Sequence, residues 1–461
     1  MPGLNYFQED TIASLSSSLG GAIALIRISG PEAFSSFKKR LKNLKSSPKP
    51  NQAYFGKLFD DEGALIDEVV WTYYQNPKSF TGEDLVEVGF HGSSFIAEKI
   101  LSSFFKEGVR QALPGEFSFR AVKNGKLSLT EAQAIPDLIE SKNQQAHEIA
   151  IEKLSGTQNQ LIQSLSNDLR DLAMLGEVGI DFSDQEVEQL SLPHLKEKTK
   201  VIIRSLAKLE ASFAKGQLIQ EGIPVAFVGL PNAGKSSFFN ALLGQDRSIV
   251  SGIAGTTRDI VRETLTLASH RQSYTFRLED TAGLRNLTSD EIEKIGMERT
   301  RQSVENAFLV LLVIDSSDSF ESLKEIWSEL GKPYQKTIGI LTKSDLKDSM
   351  KRRELDFFQV ESWVQTSSIT GDGLSQAIDQ MIQFADKSLS KQKGEVILTR
   401  LDHLKAVQKT LIALRAGLEA TCEDLFASDV RHALHALAPL IGETLSDDLL
   451  AKIFSDFCIG K

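Results

Sequence analysis

The sequence predicts three kinds of domain in one chain: a small α+β domain, a helical bundle, and a doubly wound α/β domain inserted into that bundle. Three observations lead there. Ile223 to Val228 is an almost continuous apolar run, the pattern of a parallel strand buried on both faces, and a glycine-rich loop follows it directly. Phe308 to Ile314 and Thr337 to Leu341 repeat that apolar pattern with a charged helical stretch between them. On both sides of this region leucines recur at helical spacing.

Taken in order, residues 1–124 carry short strand-like runs, such as Ala22 to Ile28 and Glu68 to Tyr73, broken by turn signals at Gly20-Gly21, Asn76-Pro77, Gly82 and Pro114-Gly115. That is the α+β domain. Across 125–217 glycine and proline thin out, and Leu161, Leu165, Leu169, Leu172 and Leu175 form one helical stripe. Pro136 and Pro193 are expected to mark helix starts or breaks, and Gly216 to Pro224 reads as a linker into the α/β domain of 218–386. Lys387 to Gly394 reads as the exit. In 387–461 a second stripe follows, through Leu401, Leu404, Val407, Leu411, Leu414 and Leu418. Two helical stretches flanking an insert are most simply halves of one discontinuous bundle.

At 461 residues the chain is too long for one core. Its 41% apolar and 25% charged residues place it among ordinary globular proteins. A formal net charge of −10 argues against broad nucleic-acid binding, so any RNA contact is expected at a local basic patch or on a partner. Cys422 and Cys458 make no disulfide framework and suit a reducing cytosol. The first ten residues have no signal-peptide pattern and no run is long enough to span a bilayer, so a cytoplasmic location is expected.

The loop Gly229-Leu-Pro-Asn-Ala-Gly-Lys235-Ser236 fits G-x-x-x-x-G-K-[ST]. Such glycines let backbone N–H groups close around phosphates, a lysine neutralises the β- and γ-phosphates, and the serine offers an oxygen to Mg²⁺. Ser237 to Leu243 reads as the start of a helix whose dipole faces the phosphates. Downstream, in order, come Gly255-Thr-Thr257-Arg-Asp259, Asp280-Thr-Ala-Gly283-Leu and Thr342-Lys-Ser-Asp345. Thr257 can offer the metal a second hydroxyl, Asp280 can hold its water shell, and Gly283 can donate its N–H to the γ-phosphate. Four such elements in this order point to a guanine-nucleotide switch. The expected nucleotide contacts are Asn232, Ala233, Gly234, Lys235, Ser236 and Ser237; Ser251, Gly252, Ile253, Ala254, Gly255, Thr256 and Thr257; Asp280, Thr281, Ala282 and Gly283; Thr342, Lys343 and Asp345; and Ser367 and Ser368. The guanine-reading motif is usually Asn-Lys-x-Asp. Asp345 still accepts the paired guanine donors, whereas Thr342 replaces an amide by a hydroxyl and is expected to weaken a secondary tether. Ser367 and Ser368 stand where a backbone N–H usually meets the guanine oxygen.

Several further elements together resemble the tRNA modification GTPase MnmE (TrmE) family over essentially the full chain. They are Asp10-Thr-Ile-Ala, Arg27-Ile-Ser-Gly30, Ser79-Phe-Thr-Gly-Glu-Asp84, Pro114-Gly-Glu-Phe117, Asn124-Gly-Lys126-Leu, Asp181-Phe and Phe457-Cys-Ile-Gly-Lys461, beside the four nucleotide motifs. The last is the most discriminating, since general GTPases lack it. Cys458, four residues from the end, also raises a prenylation reading, for which Gly460 and Lys461 are poor.

The resemblance implies that the α/β domain is a Ras-like G domain and that the N-terminal domain binds a reduced folate and dimerises. It carries the folate contacts onto Arg27, Glu87, Lys126 and Lys461, with 5,10-methylene- or 5-formyl-tetrahydrofolate as ligand. It implies K⁺ at Asn232, Ser251, Ile253 and Thr256, and Mg²⁺ at Ser236 and Thr257. The catalytic residues it implies are Lys235 and a water-orienting glutamate, selected as Glu293 with Glu291 as the alternative. The implied activity is GTP hydrolysis coupled, with an FAD-dependent partner of the MnmG/GidA family in a heterotetramer, to tRNA modification. The product would be a carboxymethylaminomethyl or aminomethyl group at C5 of the wobble uridine. The competing reading is a regulatory GTP switch that binds RNA or the ribosome and performs no modification.

Overall fold

The computed structural model describes Tyr6 and residues 9–42, 48–181, 191–244, 248–250, 262–269, 272–279, 301–315, 318–331, 336–345, 352–392, 394–442, 447–455, 457 and 460. The chain divides into two compact units, one of Met1–Ile139, Ile151–Arg204 and Ala406–Lys461, the other of Glu140–Ala150 and Ser205–Lys405.

The first unit holds a six-stranded sheet of β1 (Ile12–Leu15), β2 (Ile23–Ser29), β3 (Ala53–Phe59), β4 (Leu65–Tyr74), β5 (Leu85–His91) and β6 (Arg110–Gln111) in the order β3-β4-β5-β2-β1-β6. Its pairs are antiparallel apart from the parallel β1–β6 pair. Alternation sets the faces. Ala24, Ile26 and Ile28 on β2 and Val86, Val88 and Phe90 on β5 are buried under the helix Ser94–Phe105 through Ile100 and Phe104. Arg27 and Glu87 stand opposite each other in the register and point the other way.

Both expected helical stripes are helices, Thr157–Asp181 and Leu401–Glu419. Leu165, Leu169 and Leu172 of the first are buried, and that helix packs against Glu423–Ile441 so closely that a methyl at Gly176 would sit 3.2 Å from the Ala427 methyl. Pro193 lies in the first turn of the helix Leu192–Glu221, where a missing N–H costs nothing. Pro136 does not break its helix. It stands inside Leu129–Ile139, one turn from the end, where only one hydrogen bond is lost.

The second unit holds a seven-stranded sheet. Its strands are β7 (Ile223–Val228), β8 (Ser248–Val250), β9 (Arg262–Ser269), β10 (Gln272–Glu279), β11 (Leu309–Asp315), β12 (Thr337–Thr342) and β13 (Ser362–Gln365). They are ordered β13-β12-β11-β7-β10-β9-β8, parallel from β13 to β10 and antiparallel at β9 and β8. Every residue of β11 and β12 is buried, which is why both strands read as largely apolar runs, with Asp315 and Thr342 as buried polar ends. The stretch Glu140–Ala150 belongs to this unit through polar contacts. Asn143 Nδ2 donates to Ile219 O (2.9 Å) and Thr275 Oγ1 (3.2 Å), Gln145 Nε2 to Tyr274 OH (2.9 Å), and Tyr274 OH to Asp386 Oδ1 (2.9 Å).

The expected linker at Gly216 to Pro224 is instead the last part of the helix Leu192–Glu221, joined to β7 through Gly222. Gly216 signals close approach rather than a chain break: a Cβ there would lie 2.0 Å from Leu398 O. Alanine replacing glycine inside a helix ordinarily stabilises by about 0.5–1 kcal/mol. Here the sign reverses, and Gly216→Ala is expected to destabilise the protein by about 1–3 kcal/mol, read as a lowered thermal midpoint.

Candidate functional site

The glycine-rich loop leaves β7 where that strand is bonded to β11, with Val228 opposite Leu312. Gly229 is held against the neighbouring strand so tightly that a Cβ would meet Val313 O at 2.0 Å. Asn232 takes a left-handed conformation (φ 66°), as asparagine tolerates best after glycine, and its side chain is exposed. The helix Lys235–Leu243 begins at the loop's end, and Ser236 and Ser237 sit exposed in its first turn. Lys235 Nζ donates to Gly229 O and Leu230 O, each at 2.8 Å, so the ammonium is folded over the loop mouth beside the helix N-terminus. A fixed cation and the first N–H groups of a helix converge there, which is the chemistry of an anion site.

The segment Thr342–Asp345 emerges from the end of β12 next to this loop. Thr342 Oγ1 donates to Ala233 O (2.6 Å), with Ile314 O also within reach (3.2 Å). The tether that Thr342 provides thus runs from its hydroxyl to the phosphate-loop carbonyl. Lys343 is left-handed (φ 56°), and its Nζ bonds the Asp315 carboxylate. Ser344 N–H donates to Thr366 O (3.2 Å), and Asp345 is exposed. Ser367 N–H is committed to Asp372 O (3.0 Å), so the expected backbone donor of that pair falls on Ser368. Ser251 to Thr257, Asp280 to Gly283, Glu291, Glu293, Cys458 and Lys461 lie outside the described residues.

A second group of predicted residues lies in the N-terminal domain. Arg27 Nε donates to Glu87 Oε1 (2.7 Å), and Tyr74 OH donates to Glu87 Oε2 (3.2 Å). Burial, then the Glu87 charge, raises the Tyr74 pKa above its ordinary value. The Arg27 guanidinium lies 5.4 Å from the Phe80 ring centroid, and Lys126 Nζ donates to Pro77 O (3.1 Å). Arg27 and Lys126 thus touch the same loop, residues 77–84. Residues near 457 return to this domain: Phe457 packs on Phe454 and Phe454 on Phe119, with centroids 5.0 and 5.6 Å apart, and a Cβ on Gly460 would meet Leu15 O at 1.9 Å.

What sequence reasoning missed is the charge network behind that loop. Arg120 bonds Asp10 (2.7 Å), Glu116 (3.0 Å) and Glu83 (3.1 Å), while Arg110 bonds Asp10 (2.7 Å) and Glu116 (2.6 Å). Arg120 and Glu116 are 3% and 0% exposed. Asp10, Glu83 and Glu116 each came from a separate motif, and their recurrence in three motifs was the available signal. Burial raises the Asp10 pKa, but hydrogen bonds from Arg110 and Arg120 outweigh it and leave the carboxyl below its ordinary value.

Sheet and loop define a phosphate-loop nucleotide-binding protein with an added α+β domain and a helical bundle. The family described as "GTP-binding protein TrmE N-terminus" matches residues 11–126, and "MnmE helical domain" matches 129–458. Curated relatives named "tRNA modification GTPase MnmE" include that of Aquifex aeolicus, 37% identical over 460 residues covering 98% of this chain and 100% of the relative. Those of Natranaerobius thermophilus and Bacteroides thetaiotaomicron are 36% and 34% identical at the same coverage. The chain belongs to the tRNA modification GTPase MnmE family.

Thr342→Ala removes the tether to Ala233 O, and a neutral hydrogen bond is typically worth about 1 kcal/mol. Weaker nucleotide binding by roughly fivefold is expected, restored by Thr342→Ser, with calorimetry as the readout. Because the folded pKa of Asp10 is depressed, its contribution to stability is present above the ordinary aspartate range and is lost as pH falls through the folded value. Thermal midpoints measured downward from about pH 5 should fall more steeply in the wild type than in Asp10→Asn.

Proposed function

We propose that the protein is a potassium-activated GTPase that, with an FAD-dependent partner of the MnmG/GidA family, adds a carboxymethylaminomethyl or aminomethyl group at C5 of the wobble uridine, U34, of certain tRNAs. The observation that carries this reading is kinship along the whole chain to relatives of that name, together with a preassembled phosphate-loop site. The domains are read as 1–124 for folate binding and dimerisation, 125–217 and 387–461 for the helical domain, and 218–386 for the G domain.

In this reading Lys235 neutralises phosphate charge and Asp345 reads the guanine edge, backed by the N–H of Ser368. The exposed first-turn hydroxyl of Ser236 fits Mg²⁺, which with Thr257 would be held there to balance charge on the phosphates. The exposed left-handed Asn232 fits K⁺, held with Ser251, Ile253 and Thr256, and that cation would supply the positive charge an arginine finger gives elsewhere. Glu293, or Glu291, orients water. Arg27, Glu87, Lys126 and Lys461 hold the reduced folate. Alternating donors and acceptors at Arg27, Glu87 and Tyr74 beside the Phe80 ring suit a heteroaromatic edge and a carboxylate tail.

Homodimerisation is supported by the outer face of the N-terminal sheet. Phe55, Val70, Gly89 and Leu25 are successive partners across β3, β4, β5 and β2, and Phe55, Val70 and nearby Ile23 are exposed. Such an apolar row beside the Arg27–Glu87 pair suits a second copy of the chain. Among the described residues no helix is long and apolar enough to cross a membrane, and the protein is read as acting in the cytoplasm.

Mass spectrometry of tRNA nucleosides from cells lacking this protein tests the proposal. Loss of the C5 modification at wobble uridine is expected. Unchanged wobble uridines would instead favour a regulatory GTP switch.

A further inference from the structure

We infer that Asp315 is a positioning residue for base recognition: by holding the Lys343 ammonium, it preforms the loop from which Asp345 reads guanine. The inference rests on the nucleotide reading given above and adds to it a residue outside the four motifs.

A lysine in the left-handed region is strained, and such conformations persist only where the surroundings over-determine them. Three contacts do so at Lys343. On its N-terminal side Thr342 Oγ1 bonds Ala233 O, and on its C-terminal side Ser344 N–H bonds Thr366 O. These hold the backbone to the phosphate loop and to the segment after β13. The third contact holds the side chain: Lys343 Nζ bonds Asp315 Oδ2.

Asp315 is built as an anchor. It is the last residue of β11, opposite Thr342 in the parallel register, and is 4% exposed. Its N–H donates to Asp318 Oδ2 (2.8 Å), and Asp318 N–H returns to Asp315 O (2.9 Å), a reciprocal pair that ties the strand end. A carboxylate so buried requires a cationic partner, and Lys343 supplies the cation. The ammonium end of an otherwise many-rotamer side chain is thereby fixed before nucleotide arrives. A planar base then meets an immobilised four-methylene stem beside Asp345, rather than ordering that stem as it binds.

The test uses the full chain and fluorescent GDP, with inorganic pyrophosphate as a probe of the phosphate loop alone. Loss of a charge-assisted bond predicts that Asp315→Asn accelerates GDP release about tenfold or more, while pyrophosphate affinity stays at the wild-type value. Lys343→Met keeps the stem and removes the ammonium, so in that background Asp315→Asn should add little. A general structural role would instead weaken GDP and pyrophosphate together. That result, unchanged GDP release, or additive effects of the two substitutions would each overturn the inference. Wild-type protein that bound ADP as tightly as GDP would overturn the nucleotide reading and the inference with it.

Discussion

The parallel register of β7, β11 and β12 is the constraint on which the nucleotide site depends. Val228 faces Leu312 and Asp315 faces Thr342, so the carboxyl ends of three strands emerge at one edge of the sheet. From that edge come the phosphate loop, the Asp315–Asp318 hydrogen-bonded pair and the segment Thr342–Asp345. A slip of one residue in any pair would exchange the two faces of the strand, and the side chains packed on both faces of β11 and β12 oppose that exchange. This register brings Thr342, the last residue of β12, to the phosphate loop, where its hydroxyl bonds Ala233 O. Site precision here is inherited from the core rather than from the loops themselves.

The N-terminal domain solves a different problem. Arg27 and Lys126 flank a loop with no strand or helix of its own, and that loop is pinned by polar contacts. Ser29 Oγ donates to Glu83 Oε2 (2.8 Å), Asn124 Nδ2 donates to Thr81 O (2.7 Å), and Arg120 joins Glu83 to Asp10 and Glu116. Buried ion networks contribute little net stability, yet leaving one member unpaired is costly, so they specify geometry more than they strengthen it. The three sequence motifs contributing acids to this network are structural partners of one another.

The fold was legible wherever burial imposes a pattern: largely apolar runs for β7, β11 and β12, alternation for β2, and leucine stripes for Thr157–Asp181 and Leu401–Glu419. It was illegible where a residue has two physical meanings. Gly216 reads locally as a break, and only the approach of Leu398 shows why glycine is needed inside a helix. The stretch around Asn143 carries polar residues that look solvated, although they bond β10 and Ile219. In the candidate site, motif spacing located Lys235 and Asp345. It could not show that a threonine hydroxyl reaches Ala233, or that Asp315 closes on Lys343, because both depend on strand register between distant segments.

One consequence concerns the order of synthesis. The first compact unit is assembled from three stretches of chain separated by the second unit, and Phe119 and Tyr6 of the earliest stretch pack with Phe454 and Phe457 of the latest. A ribosome delivers these stretches in order, so residues 205–405 are available to form their core while the first unit still lacks its last helices. Until residues 454–460 emerge, the aromatic surface near Phe119 stays uncovered and the bundle half-built. The nascent chain therefore passes through a stage at which the second unit has all its residues while the first still exposes apolar surface, a stage open to aggregation.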